Sequence, residues 1–365
     1  MIKTELTEML GVKYPIIQGG MGYTRNLCAA ASNAGALGLI GAATWAFASR
    51  NVEGWMSSGG RMADEAGTPY EQFKRAFRLL AEATRETKGV FGLNLMLASE
   101  MANWTGQAIK GAKEIRDENP DIRDRFRVIV TSAGNPLTWA DAIKSIGIKW
   151  FHVVPSVKHA KKAEEAGVDL IVASGHEGGM HIAWEAVHSM VLLPAVVRAV
   201  SVPVVGAGGY CDGASLAAAL SLGAHGIQMG TRFIATVESD FSQMHKDYIT
   251  HLSERETTVA RAIVGPGRYL KTEASMELTR LSVAKSPGPY LGEPDNLKEV
   301  PRELVAKEVD GGEALMKGDE HRALMPAGEV AGRISDIPTV KELIEGIMGD
   351  AEEIVRNLAE KFIRE

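Results

Sequence analysis

The feature that most constrains the fold is a repeated alternation between short apolar runs and longer segments of helical pattern. Eight runs have the length of a buried β-strand, and most are continuously apolar. They lie at residues 14–18, 37–41, 90–95, 127–131, 149–154, 169–173, 202–207 and 226–230. Continuous apolar runs are typical of parallel strands that are buried on both faces. Eight strand–helix repeats therefore predict an α/β fold, the (β/α)₈ or TIM barrel.

A doubly wound parallel sheet is the alternative fold. The turn after the first run reads QGGMGYT (18–24), so the G-x-G-x-x-G pattern of dinucleotide-binding sheets does not follow that strand. Segments 136–147, 156–167 and 212–223 read as helices, and each ends at a glycine, as helices often do. The closed barrel is the favoured prediction.

Two parts of the chain exceed a minimal barrel. Residues 45–88 form a connection longer than the usual few residues, which predicts an insertion or a lid. After the eighth run, helical pattern is mixed with a Pro/Gly stretch at 285–296. We therefore predict a barrel over 1–240, a smaller, mostly helical domain over the barrel mouth at 241–335, and a C-terminal helix at 336–365 that packs back on the barrel.

Composition restricts the partners that we expect. The 365 residues carry a net charge of −6 and no long basic run, so a nucleic-acid partner has no electrostatic support. Two cysteines, Cys28 and Cys211, suit a reducing compartment and need no disulfide. The first residues are too polar for a secretory signal, and the apolar stretch at 190–200 is too short to span a bilayer. We predict a cytoplasmic protein that acts on a small molecule, with a homodimer left open.

Glycine-rich loops follow the seventh and eighth strands, at GAGGYCDG (206–213) and QMGTRF (228–233). In barrels, loops at these two places commonly hold a phosphate group. Glycines let several backbone N–H groups approach an anion, and a helix that starts near Asp212 or Gly213 would add its positive end. Four residues are candidates to cradle one phosphate: Gly208, Gly209, Gly230 and Thr231. The alternative is that these glycines only form tight turns.

Other strand ends could contact a flat polar ring. The loop IIQGGMGYT (16–24) offers backbone that can lie against a ligand plane, and Asn94 in GLNL (92–95) is a neutral donor and acceptor in apolar surroundings. A core amide is the alternative interpretation of Asn94. Together with a phosphate site across the mouth, these strand ends predict a mononucleotide cofactor, and FMN fits better than a dinucleotide.

The sixth strand leads into VASGHEGGMH (172–181), which contains His176, Glu177 and His181. The spacing is not H-E-x-x-H, and a glycine-rich loop does not present two rings on one helix face, so we predict no metal. One imidazole is favoured as a general base, because an ordinary pKa of about 6.5 suits proton transfer near neutral pH. The residues alone leave His176 and His181 equal in this role. Two other histidines are predicted to be structural, one in the core and one at the surface or capping a helix: His152 and His188.

Six motifs then carry a family resemblance. YPIIQGGMG, FGLNL, TSAGNP, ASGHEGGMH, VPVVGAGGYCDG and GIQMGTRF occur in this order. Together they closely resemble the nitronate monooxygenase family, formerly called 2-nitropropane dioxygenases. That family also includes FMN- and NADH-dependent enoyl-acyl-carrier-protein reductases and NAD(P)H:quinone reductases. The resemblance covers about residues 10–240, and it implies an FMN-binding TIM barrel with a smaller helical domain.

The resemblance also implies roles for individual residues. It makes His181 the catalytic histidine. The residues that it implies as FMN contacts are Gly20, Met21, Asn94, Ser174, Gly175, Gly179, Gly208, Gly209, Gln228, Met229, Gly230 and Thr231. Ser174 stands where the family usually has glutamine, and Met180 where it has glycine, which predicts one altered flavin contact and a different substrate scope.

The predicted function is that of an FMN-dependent nitronate monooxygenase, which oxidises alkyl nitronates or nitroalkanes with O₂. His181 would remove the α-proton of a nitroalkane or steer an anionic nitronate. The alternative is a reductase that takes hydride from NAD(P)H and reduces an enoyl thioester or a quinone, with His181 as proton donor. A third hypothesis is a non-catalytic barrel that binds a phosphate-bearing ligand. A barrel of the IMP dehydrogenase kind is not favoured, because the loop after the sixth strand has no cysteine.

Overall fold

The architecture is a closed barrel of parallel strands surrounded by helices. The computed structural model describes residues 2–21, 24–41, 69–98, 101–263, 265–286 and 300–363. In chain order its strands are β1 Ile16–Gln18, β2 Leu37–Gly41, β3 Phe91–Met96, β4 Phe126–Ser132, β5 Lys149–Val154, β6 Leu170–Ser174, β7 Met180–His181, β8 Val204–Ala207, β9 Ile227–Met229, β10 Thr257–Ala262 and β11 Gly265–Leu270. The barrel order is β1-β2-β3-β4-β5-β6-β8-β9, and β9 closes onto β1. The predicted TIM barrel is confirmed, and the open doubly wound sheet is wrong.

The helices lie around this barrel and after it in the chain. They are α1 Glu5–Leu10, α2 Arg25–Asn33, α3 Pro69–Ala83, α4 Ala102–Glu118, α5 Pro120–Arg125, α6 Ala140–Lys144, α7 Val157–Ala166, α8 Ser189–Val197, α9 Gly213–Ser221, α10 Thr231–Ile234, α11 Gln243–His251, α12 Glu273–Lys285, α13 Arg302–Lys317 and α14 Val340–Phe362. Short 3₁₀ segments cover Pro136–Trp139 and Glu329–Arg333. Helix α14 packs against α9 and α2, which places it among the outer helices of the barrel.

The barrel interior is filled with apolar side chains, as continuous apolar strands require. Among its fully buried members are Ile17, Leu39 and Phe151. Leu6 and Leu10 of α1 belong to the same cluster, and the Thr4 hydroxyl beside them donates to the carbonyl of His225 at 2.7 Å, just before β9 begins. Helix α1 therefore closes the barrel at the amino ends of the strands and leaves the carboxyl ends open.

The predicted helices agree with the structure to different degrees. Helix α7 lies within the predicted 156–167 and ends at Gly167, which has the left-handed φ of +82°. Helix α9 begins at Gly213 as predicted. The segment predicted as one helix at 136–147 is instead a 3₁₀ turn followed by the short α6, because Trp139, the last residue of the turn, leaves α-helical geometry, with φ −112° and ψ 0°.

The chain after the barrel contains a small sheet that the sequence patterns did not reveal. Strands β10, β11 and β7 form a three-stranded antiparallel sheet, with α12 and α13 packed beside it. Strand β7 has only two residues, and it lies in the segment after β6 that was predicted to be a glycine-rich loop. The sheet thus joins that loop to the region predicted as mostly helical. The domain limits at 240 and 335 stay a prediction.

Two predicted segments, the lid at 45–88 and the Pro/Gly stretch at 285–296, lie largely outside the described residues. Most of the predicted lid at 45–88 lies outside the described residues, which resume at 69 with α3. The Pro/Gly stretch at 285–296 also lies outside them beyond 286. Cys28 and Cys211 are both free and buried. Within the described ranges, no helix combines the length and the apolar character needed to cross a membrane.

Candidate active site

A large cavity opens at the carboxyl ends of the barrel strands, where TIM-barrel active sites lie. Its volume is about 1070 Å³. All the residues predicted to contact FMN, together with the predicted catalytic histidine, line it: Gly20, Met21, Asn94, Ser174, Gly175, Gly179, His181, Gly208, Gly209, Gln228, Met229, Gly230 and Thr231. The structure thus brings together residues that are more than 200 positions apart in the chain.

The loop after β8 has the backbone that an anion site needs. Gly208 and Gly209 have φ values of +84° and +83°, which side-chain-bearing residues rarely adopt. A Cβ on Gly208 would also lie 2.6 Å from the carbonyl oxygen of Gly175. Successive residues of this kind leave N–H groups free to converge on a phosphate. Across the wall, the Thr231 hydroxyl accepts the N–H of Gly328 at 2.8 Å, which ties the loop after β9 to the segment before Glu329–Arg333.

The N-terminus of α9 contributes less to this site than the sequence predicts. The Asp212 carboxylate accepts the N–H of Ser215 at 2.8 Å, and it also pairs with Arg333. An acidic cap already satisfies the first turn of the helix. Neither Asp212 nor Gly213 lines the cavity. The backbone N–H groups of the two glycine loops are therefore the better hydrogen-bond donors for a phosphate.

Two side-chain amides also line the cavity, Asn94 on β3 and Gln228 on β9. Asn94 Nδ2 donates to the carbonyl of Val130 at 3.4 Å, so this side chain is tied to β4 while it faces the cavity. Gln228 Oε1 is buried and has no hydrogen-bond partner among the described residues. A buried acceptor without a donor is costly unless a ligand satisfies it. The amide at 228 therefore indicates a ligand that carries a donor on this side.

His181 lies on β7 rather than in a free loop. It stands opposite Gly267 of β11, and the next N–H, that of Ile182, donates to the Pro266 carbonyl at 3.0 Å. Its Nδ1 is buried without a partner among the described residues. Burial lowers the pKa of His181 to about 4. The imidazole is therefore neutral at neutral pH, the form that can accept a proton.

His176 shares the cavity but has different surroundings. Its carbonyl accepts from Arg268 Nη2 at 3.0 Å, and its ring meets that of His188 edge-on with centroids 5.5 Å apart. Burial first, and then the charges of Arg268 and His188, lower the pKa of His176. The structure places both candidate histidines at the same cavity, so the assignment of the base stays a prediction.

Glu177 holds the loop between these histidines in place. Its two carboxylate oxygens accept the N–H of Ser189 at 3.0 and 3.1 Å, and its carbonyl accepts the N–H of Glu329 at 3.0 Å. The loop is thus anchored to α8 on one side and to the 3₁₀ segment on the other. Glu177 is therefore a positioning residue. Among the described residues, no group of three or more His, Cys, Asp or Glu side chains could hold a metal ion.

Met180, directly before His181, has a φ of +55°. The left-handed region is unfavourable for a residue with a long side chain. The Met180 side chain packs against the apolar cluster that contains Tyr269 and Leu324. This packing holds a strained backbone next to the predicted base, at the position where the family pattern has glycine.

The other two histidines agree with their predicted structural roles. His152 is only 4% exposed, and its Nδ1 lies 2.7 Å from the Thr131 hydroxyl. Burial lowers the pKa of His152 to about 4. It nevertheless forms part of the cavity wall. His188 is exposed and precedes the first residue of α8.

Sequence reasoning missed many of the cavity residues, and three of them bring polar or aromatic groups to the site. Tyr269 and Glu308 come from the chain after the barrel, and Trp184 follows β7. The guanidinium of Arg261, which is 1% exposed, lies over the Trp184 ring at 4.2 Å from its centroid. No local spacing connects these residues with the glycine loops, because β10 and β11 bring them together.

Comparison with known proteins agrees with this arrangement. The model of the nitronate monooxygenase family matches residues 3–350. The (3aS,4S,5R,7aS)-5-hydroxy-7a-methyl-1-oxo-octahydro-1H-indene-4-carboxyl-CoA dehydrogenase of Rhodococcus jostii (strain RHA1) is 28% identical over 378 residues, which cover 96% of each chain. A probable nitronate monooxygenase of Staphylococcus saprophyticus is 30% identical over 309 residues, 74% of this chain and 79% of its own. The structure of FabK from Thermotoga maritima is 31% identical with a TM-score of 0.77, and the match covers 99% of this chain and 100% of that one. The chain therefore belongs to the nitronate monooxygenase family of FMN-dependent oxidoreductases.

Proposed function

We propose that the cavity binds FMN. Gly208, Gly209, Gly230 and Thr231 would hold the phosphate, because the two loops present backbone N–H groups and the first has consecutive left-handed glycines. Gln228, with its unpaired buried oxygen, would contact the ring system. When bound, FMN accepts electrons from the substrate and passes them to an acceptor. The remaining predicted contacts line the same cavity.

We further propose that the chain is a nitronate monooxygenase, and the observation that carries this proposal is the neutral imidazole of His181 at the cavity. A neutral imidazole can remove the α-proton of a nitroalkane. An anionic nitronate beside the ring would instead raise the pKa of His181, because a nearby negative charge favours the protonated form. The protonated ring would then orient the nitronate by a charge-assisted hydrogen bond.

The low pKa favours one of these two substrates. With a pKa of about 4, His181 is a weak base before any ligand binds. A preformed nitronate needs no proton removal, whereas a neutral nitroalkane does. We therefore expect the nitronate to be the better substrate.

A second candidate function is favoured by the size of the cavity. About 1070 Å³ lies at the upper end of the usual range of roughly 300–1,000 Å³ for small-molecule pockets. A relative that matches 96% of the chain is named for action on a carboxyl-CoA, a substrate much larger than a nitronate. This candidate is an NAD(P)H-dependent reductase of an enoyl thioester or quinone. His181 would have to gain a proton before it could act as the donor.

The test begins with the purified protein. We expect it to be yellow and to release FMN on denaturation. Oxygen consumption is then measured with ethylnitronate and with neutral nitroethane, and NADH or NADPH oxidation is measured with crotonyl-CoA or a quinone. Oxygen consumption with ethylnitronate supports the monooxygenase. NAD(P)H oxidation that requires crotonyl-CoA or the quinone, without nitronate turnover, supports the reductase. A colourless protein that cannot be reconstituted with FMN would refute both flavoenzyme functions and favour the third hypothesis, a non-catalytic barrel that binds a phosphate-bearing ligand.

Two further sequence predictions belong to the same proposal. The cytoplasmic location rests on composition, and cell fractionation tests it. The homodimer is tested by light scattering of the purified holoenzyme.

A further inference from the structure

A buried carboxyl group lies in the cavity wall and has no part in the chemistry described so far. Glu308 of α13 is 3% exposed and Tyr269 of β11 is 1% exposed, and both line the cavity. The Tyr269 hydroxyl donates to Glu308 Oε1 at 3.3 Å. The backbone N–H of Ile263 donates to the other oxygen, Oε2, at 2.5 Å.

The register of the small sheet places Tyr269 near His181. Gly267 of β11 lies directly opposite His181 of β7, and directly opposite residues of an antiparallel pair share one face. Tyr269 comes two residues later on the same strand, so it projects from the same face as a diagonal neighbour of His181. A Cβ on Gly267 would lie 2.9 Å from the Tyr269 hydroxyl oxygen. The Tyr269 ring therefore leans back over Gly267, toward His181.

Within the part of the chain that the structure describes, no cationic side chain pairs with Glu308. Burial raises the pKa of Glu308 to about 7, and only the bonds from Ile263 and Tyr269 oppose this rise. The charged groups on the elements around α13 are Arg261 on β10, Arg268 on β11, Glu273, Glu277, Arg280 and Lys285 on α12, and Asp319, Glu320, His321 and Arg322 in the following turn. None of them contributes to the pKa of Glu308. Arg268 pairs with Glu329 at 3.0 Å, and Arg261 lies over Trp184.

The two oxygens of Glu308 are not equivalent, and this sets the direction of the Tyr269 hydroxyl. The Ile263 N–H occupies Oε2, so the proton of neutral Glu308 resides on Oε1, the oxygen that faces Tyr269. When Glu308 is ionised, the Tyr269 hydroxyl donates a hydrogen bond to Oε1 and keeps its proton. When Glu308 is neutral, Oε1–H donates to the Tyr269 oxygen, and the Tyr269 proton is free to turn into the cavity.

We propose that Tyr269 donates a hydrogen bond or a proton to a ligand oxygen in the cavity, and that Glu308 is the positioning residue that makes the hydroxyl proton available. The ligand oxygen is one that carries or develops negative charge beside the reacting carbon, such as a nitronate oxygen or a thioester carbonyl. If the proton moves, the ligand oxygen gains the proton of Tyr269, Tyr269 gains that of Glu308, and Glu308 becomes a carboxylate. No electrons move in this step. The proposal rests on the proposed function, because it assumes that the cavity is the active site.

The test compares the holoenzymes of the wild type, Tyr269→Phe and Glu308→Gln. The value of kcat/KM for ethylnitronate is measured across the pH range in which Glu308 titrates. We expect the wild-type value to fall as pH rises through about 7. In Glu308→Gln, the amide oxygen accepts from Ile263 and the amide nitrogen donates to Tyr269, so this fall disappears. Ionisation of the substrate affects both enzymes equally and cancels in the comparison.

Below about pH 7, Tyr269→Phe should lower kcat/KM roughly 10- to 100-fold, which corresponds to one hydrogen bond to a charged group. This difference from the wild type should shrink as pH rises and Glu308 ionises, because the wild-type hydroxyl is then held by the carboxylate. Its flavin content should not change. Tyr248→Phe is the matched control, because it removes another Tyr–Glu hydrogen bond, that to Glu320, outside the cavity lining. It should behave as the wild type does.

Two results would overturn the proposal: a Glu308→Gln profile that follows the wild type, or wild-type kinetics in Tyr269→Phe. An infrared titration of the wild type against Glu308→Gln, without substrate, provides an independent readout. It should show a protonated carboxyl that is lost near pH 7, and a carboxyl ionised throughout the neutral range would also refute the proposal. If no nitronate is oxidised, the monooxygenase function is what fails, and the same variants are compared with NADH and crotonyl-CoA.

Discussion

Replacement of His181 by asparagine separates a general base from a binding group. Asparagine keeps a polar side chain of similar size but cannot take up a proton near neutral pH. General base catalysis contributes roughly 10²- to 10⁴-fold, so kcat/KM with neutral nitroethane should fall by about that factor. Ethylnitronate has already lost the proton, and the loss of one charge-assisted hydrogen bond should cost roughly 10- to 100-fold, less than the loss of the base. Steady-state oxygen consumption on both substrates measures the two factors.

Stability against pH provides a second readout of the same variant. The folded-state pKa of His181 is lowered from 6.5 to about 4, so the folded protein disfavours the charged ring. His181 alone should therefore lower the free energy of unfolding of the wild type by about 3 kcal/mol as pH falls through this window, at about 1.4 kcal/mol per pKa unit. His181→Asn should lack this loss. Urea unfolding at neutral and acidic pH compares the two proteins.

His176→Asn is the control, because it removes the other imidazole of the same cavity. We expect it to be the milder change on both substrates. Equal losses on nitroethane and ethylnitronate in His181→Asn, with stability and flavin content unchanged, would refute the base assignment. A larger loss in His176→Asn would mean that the two histidines have exchanged roles.

Other changes test the cofactor site, the backbone beside His181 and the buried carboxyl. Gly209→Val should lower FMN affinity at least tenfold by fluorescence titration, whereas Gly318→Val, at a similar φ of +71° with nothing within 4 Å, should leave it unchanged; equal affinities in the two would refute the phosphate site. Because Met180 has a left-handed φ of +55°, the free energy of unfolding of Met180→Gly, measured with urea, should exceed that of Met180→Ala by about 1 kcal/mol. The opposite order would show that the backbone at Met180 is not strained. Burial raises the pKa of Glu308 from 4.5 to about 7, so the ionised carboxyl destabilises the fold. The free energy of unfolding of Glu308→Gln relative to that of the wild type should therefore increase by about 3 kcal/mol as pH rises across that window. An advantage that does not change with pH, in urea unfolding, would contradict this.

Much of the barrel could be predicted because its signals are local. Each strand is a short apolar run, and each of the helices α7 and α9 is followed within two residues by a glycine with positive φ, Gly167 or Gly223. The eight barrel strands lie within a few residues of their predicted positions. The 3₁₀ turn before α6 was missed, because the break at Trp139 depends on local backbone geometry that hydrophobic periodicity does not encode.

The cavity could be predicted where it is built from strand ends, and only there. The glycine loops after β8 and β9 meet because the barrel brings all carboxyl ends to one rim. Tyr269 and Glu308 could not be predicted, since their approach depends on the pairing of β7 with β11. A two-residue strand has no periodicity to detect. The acidic cap at Asp212 was visible in the sequence, but whether it left the helix end free for a phosphate was not.

The most direct test of the central claim is anaerobic mixing of the FMN-loaded protein with ethylnitronate, while the flavin absorbance is recorded. If the protein is an FMN-dependent nitronate monooxygenase, the yellow absorbance bleaches within the turnover time and returns when O₂ is admitted. His181→Asn with equal flavin content should bleach with ethylnitronate far better than with nitroethane. A wild-type protein that carries FMN and keeps its full absorbance with ethylnitronate would show that it is not a nitronate monooxygenase.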